Sequence, residues 1–201
     1  MTSNSIDSAK IAEVIEASTT EFVAHCYDLD GAPDFGSFVR VRDRAIDIFA
    51  VVSEVRTSSI DPGRRPLARG QNADDEEQLY RDNPEIRELL RSELTATVVG
   101  FREADEFKHY LPPRPPRIHG FVYRCTDAEV EAFTNCLDFL QTLLASPNRI
   151  ALDELIAATI RNAWLARSGD REFLVRAGKE VATLLANEVN RLNGILRRIG
   201  R

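Results

Sequence analysis

The chain changes character at Thr126. Before it, short β-rich runs alternate with clusters of Gly, Pro and charge; after it, strand-like runs stop and prolines almost vanish. Strands first and helices afterwards is an α+β order. The sequence therefore divides into residues 8–125, read as a strand domain with an insertion at 57–93, and residues 126–201, read as a helical domain.

Six runs in the first part read as strands: 11–18 (IAEVIEAS), 20–27 (TEFVAHCY), 37–42 (SFVRVR), 45–56 (AIDIFAVVSEVR), 94–102 (LTATVVGFR) and 118–123 (IHGFVY). In SFVRVR the apolar Phe38, Val39 and Val41 stand against Arg40 and Arg42. The run at 45–56 is apolar through its centre, which predicts burial on both faces. A small antiparallel set of this kind closes into a barrel or stacks into a sandwich, because closure removes open edges. Gly36 and Gly100 are candidate bends or bulges.

The insertion opens as loop chemistry, SSIDPGRRPLARG, followed by a solvated acidic run at 74–77. Asn83 followed by Pro84 is a helix start, which predicts a short helix through Arg91. In the second part, Thr126 and Glu129 have the spacing of a capping box. Val130, Phe133, Leu137, Leu140 and Leu144 then form one apolar stripe. A second helix is predicted from Leu152 to Arg167, ended by Ser168-Gly169. A third runs from an Asp170 cap to Ile199, about 40 Å if continuous. Short connections predict a helical hairpin or three-helix bundle. A helix of that length would leave apolar surface for a partner or for self-association.

Composition narrows the function classes. A net charge of −6 over 201 residues argues against wholesale binding to nucleic acid or anionic membranes, though not against a local basic patch. No apolar run approaches the ~20 residues of a membrane helix, and the N-terminus lacks the basic-then-apolar order of a signal peptide. The three cysteines, Cys26, Cys125 and Cys136, have no metal-type spacing. Together these predict a cytoplasmic protein with reduced thiols.

The sequence carries no GxxxxGK[ST], HExxH, GxSxG or CxxC. His25 and Cys26 are neighbours in a strand and point to opposite faces, so they do not form a nucleophile–base pair. The expectation is a protein that is not an enzyme and holds no metal or cofactor. Arginines are the more informative residues. Arg64, Arg65 and Arg69 crowd the loop after the long strand, and Arg114 and Arg117 stud the segment YLPPRPPRIHGFVY, where four prolines fall within five residues. Arginine's planar fork suits phosphate or carboxylate recognition; the alternative is that these side chains balance the acidic surface. The proline rod reads as a rigid strap across the barrel rim, as bait for an SH3-like groove, or as a dock for another subunit. If the arginine loops share one end of the barrel, they make a docking edge together with Tyr110.

Three stretches carry a family likeness: IAEVIEASTTEFVAHCYDLDGAPDFGSFVRV, IFAVVSEVRTSS, and TATVVGFREADEFKHYLPPRPPRIHGFVYRCTDAEVEAF. In strand order, glycine placement and the proline-rich strap before "FVY", residues 10–130 resemble the HerA–ATP synthase barrel, or HAS barrel. That barrel precedes the motor domain of HerA-type translocases and crowns the ATP synthase catalytic head. The resemblance implies ring packing and partner docking, as with the NurA nuclease on HerA. The motor and its nucleotide-binding loop have no counterpart in this sequence, so ATP-driven activity is not carried over. The expected function is a non-catalytic assembly or docking module for a larger, ATPase-type or DNA-processing machine. The alternative is a nucleic-acid-binding accessory using the arginine loops, helped by the basic tail Arg191, Arg197, Arg198 and Arg201.

Overall fold

The alternating runs of the first half build a sheet that closes on itself. The structure, a computed structural model, describes residues 9–61, 63, 65–71, 74–146 and 151–200. Its strands are β1 (Lys10–Ala17), β2 (Glu21–Cys26), β3 (Phe38–Asp43), β4 (Ile46–Ser59), β5 (Leu90–Glu103), β6 (Glu106–Lys108) and β7 (Phe121–Arg124). The sheet order is β2-β1-β7-β3-β4-β5-β6, and a further β2–β5 pairing closes the ring. Six antiparallel strands thus make a barrel, with β6 attached to β5 outside it.

Closure creates two cores. Inside the barrel lie Val14, Phe22, Ala24, Val39, Val41, Ile48, Ala50, Val52, Leu94, Ala96, Val98 and Val122. On the outside, Phe38, Phe49, Val51 and Val99 meet the helices. The centre of β4 serves both: residues 48 to 52 are all fully buried, alternating inward and outward. Phe38 corrects the face expected for it. It points outward with Arg40 and Arg42, as strict alternation requires, and packs edge-on against Phe139.

β5 changes face at a bulge, because Phe49 pairs with Gly100 and Ala50 with Val98, leaving Val99 as the extra residue. A Cβ on Gly100 would lie 2.3 Å from the Lys108 carbonyl. Gly36 turns with a φ of +83°, and a Cβ there would stand 2.6 Å from the Ala158 Cβ. The loop leading into β3 therefore lies directly on the helical layer.

The insertion is shorter than its sequence predicts. The β4–β5 ladder continues past the barrel to Ser59 and Leu90, as a two-stranded ribbon crowned by α1 (Glu76–Asp82) and α2 (Glu85–Glu88). The acidic run is not plain loop, since Asp75 accepts from the Gln78 amide and caps α1. Asn83 closes α1 rather than opening the next helix. β5 claims Leu90 and Arg91, which ends α2 early.

Five helices follow among the described residues: α3 (Asp127–Phe133), α4 (Phe139–Leu144), α5 (Leu152–Ala166), α6 (Arg171–Leu184) and α7 (Val189–Ile199). The capping box on α3 forms as expected, and Asp170 caps α6. Two helices expected to be continuous are broken. The first stops where the Thr134 hydroxyl turns back to the Val130 carbonyl, and Arg167 covers the Glu131 carbonyl. The break turns Phe133 and Phe139 into one cluster, 5.8 Å apart. The long third helix breaks between Leu184 and Val189, and α7 folds back onto α5, burying Ile195 and Ile199. The fold-back therefore consumes part of the apolar surface of a ~40 Å helix within the chain, while Val175, Val189 and Leu196 stay exposed.

Candidate functional site

Between β6 and β7 the chain crosses the barrel as a strap, and packing fixes it at both ends. At its start, the His109 ring nitrogen Nε2 lies 2.8 Å from the Phe133 carbonyl, and the Thr142 hydroxyl donates to the His109 carbonyl. At its end, Arg117 Nε meets the Asp43 carboxylate at 2.5 Å. The backbone then joins β1: the His119 amide donates to the Val14 carbonyl and the Val14 amide to the Gly120 carbonyl, each at 2.9 Å.

The proline pattern follows from this anchoring. Pro112 and Pro116 are buried, whereas Pro113, Arg114 and Pro115 face solvent. The two PxxP pairs are Pro112 with Pro115 and Pro113 with Pro116, so each has one member held against the protein. An SH3-like groove needs both ridge prolines; the packing supports the strap reading instead. Tyr110 is 60% exposed, and its ring stands edge-on to Phe101, with centroids 5.5 Å apart. Arg114 is exposed and has no ion-pair partner among the described residues.

A polar cluster lies beside the end of the strap. Glu13 receives the Tyr27 hydroxyl at 3.0 Å and faces His119 Nδ1 at 2.5 Å. These hydrogen bonds, His119 first, hold the Glu13 carboxyl below its usual value. Desolvation, reinforced by the Glu13 hydrogen bond, pushes Tyr27 up to about 12. Lys10 Nζ sits over the Phe121 ring at 4.3 Å and the Tyr27 ring at 5.0 Å.

The register separates the predicted docking residues. β4 runs away from the turn at Arg44 and ends at Ser59, so the loop carrying Arg65 and Arg69 lies beyond that far end. β7 pairs Val122 with Val41, so the strap delivers Arg114 and Arg117 to the near end. The two groups stand at opposite ends of a 14-residue strand, roughly 40 Å along its path. They do not form one edge. Arg69 is engaged by Glu85 at 3.0 Å, Arg65 is exposed, and Arg64 lies outside the described residues. In the tail, Arg191 pairs with Asp153 and Glu188, and Arg198 with Glu154. Arg201 lies outside the described residues.

Sequence reading missed the arginine ladder on the outer wall. Arg42, Asp47 and Arg102 sit directly opposite one another on β3, β4 and β5. Arg42 Nε is 3.0 Å and Arg102 Nη2 2.5 Å from the Asp47 carboxylate. Arg40, two residues along, reaches Glu129 at 2.8 Å and ties the wall to α3. The signal was the alternation that places Arg40 and Arg42 on one face. Its partners lie in other strands and a helix, which local spacing does not reveal.

Among the described residues no helix is long and apolar enough to cross a membrane. No model of a known protein family matches this chain, and no curated protein proved similar to it in sequence.

Proposed function

We propose that the protein is a non-catalytic docking module whose contact surface is the strap rim. One observation carries this reading: the strap is pinned at both ends yet turns Tyr110 and Arg114 outward. An aromatic ring and an arginine held on a rigid support lose little freedom when a partner binds, and these residue types dominate interface energetics. The barrel interior is filled by its own apolar side chains, which favours recognition on the outside. The resemblance to the HAS barrel supplies the class of partner: a larger, ring-forming ATPase or DNA-processing assembly. Affinity capture of the tagged full chain from its host, followed by mass spectrometry, tests the reading. Tyr110→Ala with Arg114→Ala should reduce recovery of the principal partner about tenfold while the far-ultraviolet circular dichroism stays that of wild type; the lost edge-on contact with Phe101 lowers the melting temperature only slightly. Recovery equal to wild type clears these residues of the role.

The runner-up is a nucleic-acid accessory, favoured by the exposed Arg65 and Arg114. It is the weaker reading, because Arg69, Arg117, Arg191 and Arg198 already face carboxylates. Fluorescence anisotropy with a single-stranded oligonucleotide at low salt decides it. Binding that falls steeply with added salt would favour this alternative.

A further inference from the structure

The barrel leaves one long strand edge open. On its β3 side, β4 is hydrogen-bonded only as far as Val52, which exchanges bonds with Gly36 and Ser37. From residue 54 to residue 59 it pairs with β5 alone among the described residues, Ser53 being the extra residue of a bulge. Glu54, Val55, Arg56 and Thr57 on this edge are exposed. Beside it lies an open cleft of about 750 Å³, walled by Ala32, Pro33, Asp34 and Phe35. An exposed row of amides and carbonyls is a template for another strand.

We propose that this edge joins two copies of the chain through antiparallel pairing centred on Val55. The choice of a second copy, and of this register, comes from charge. Glu54 and Arg56 project on one face, 3.3 Å apart. In a two-fold antiparallel pair centred on Val55, each Glu54 stands opposite the partner copy's Arg56, twice over. The two valines, each 39% exposed here, then meet on the other face. Centring on Glu54 sets two carboxylates opposite each other, and centring on Arg56 sets two guanidinium groups opposite each other. Like charges directly opposed are unfavourable and unlike charges favourable, so the edge selects this one pairing with itself. An isologous contact of this kind closes as a dimer and leaves no further edge of this type to propagate.

This surface is at the far end of the barrel from the strap, so it and the docking reading can fail separately. The test is sedimentation equilibrium of the full chain across a dilution series at low salt. Wild type should form dimers. Glu54→Arg makes the edge all positive and Arg56→Glu makes it all negative, and each alone should weaken self-association at least about tenfold. An equimolar mixture of the two variants should recover dimers, because every opposed pair is again of unlike sign. The mixture also separates the contact between copies from the Glu54–Arg56 pair within one chain, which neither variant regains. Both positions are exposed, so circular dichroism should match wild type. A wild type that stays monomeric throughout, single variants that dimerise like wild type, or a mixture that stays monomeric would each overturn the proposal.

Discussion

Arg117 and Asp43 meet at 2.5 Å across 74 residues of sequence. The Asp43 side chain is only 8% exposed, while that of Arg117 is 63% exposed. The pair fixes the place where a stiff proline segment must hand over to β7, between β1 and β3. Strap position and barrel closure are therefore linked through one guanidinium group.

Arg117→Ala should lower stability by about 1–2 kcal/mol, because it leaves a nearly buried carboxylate unpaired. The exposure of Arg117 keeps the figure at the lower end. Adding Asp43→Asn should return part of the loss. A double-mutant cycle in urea measures the coupling; additive effects would mean that the contact contributes nothing.

Asp47 gives a prediction with a pH sign. Burial alone would raise its carboxyl, but hydrogen bonds from Arg102 and Arg42 outweigh burial and hold it below its ordinary value of 3.8. A carboxyl depressed in the folded state adds stability above its unfolded value and loses it as pH falls through the folded one. Asp47→Asn should therefore cost roughly 2–3 kcal/mol at neutral pH. The gap between wild type and variant should narrow only below about pH 4. Urea unfolding at a series of pH values checks both size and window.

Local pattern made some of this architecture legible and left the rest hidden. The apolar run from Ile48 to Val52 announced a strand buried on two faces, and Thr126 with Glu129 announced the start of α3. These features depend on neighbours within one turn or one strand. The placement of Arg65 and Arg114 at opposite ends depends on which strands pair. β7 inserts between β1 and β3, and nothing in its own residues says so. The break after Leu184 is of the same kind: the apolar period continues through it, and what decides the fold-back is the face that α5 offers to Ile195 and Ile199.

Two glycines should respond in opposite directions to alanine. Gly36→Ala forces a Cβ into the α5 backbone, 2.9 Å from the Thr159 nitrogen, at a φ of +83°. Strain and overpacking together should cost about 3 kcal/mol, a fall in Tm of roughly 10 °C. Gly178→Ala, inside α6, meets Leu196 Cδ2 at an ordinary 3.5 Å. It should gain about 0.5–1 kcal/mol from helix propensity. Differential scanning calorimetry of the two variants reads both signs in one experiment.

Thiol chemistry tests whether the barrel stays closed in solution. Cys26 lies in the barrel interior, where burial pushes its thiol up to about 11. Burial also raises Cys125 well above its ordinary value, at the margin of the barrel–helix core. Cys136 is raised as well, but it sits in the partly exposed turn after α3. Because the thiolate is the reactive form, Ellman's reagent at neutral pH should modify Cys136 first. Cys26 should react only at the rate of unfolding, Cys125, part-exposed but set against the core, more slowly than Cys136, and urea should bring all three to one rate. If Cys26 reacts in native buffer as quickly as Cys136, then the β2–β5 seam opens and the six strands form a sheet with a loose edge instead of a ring.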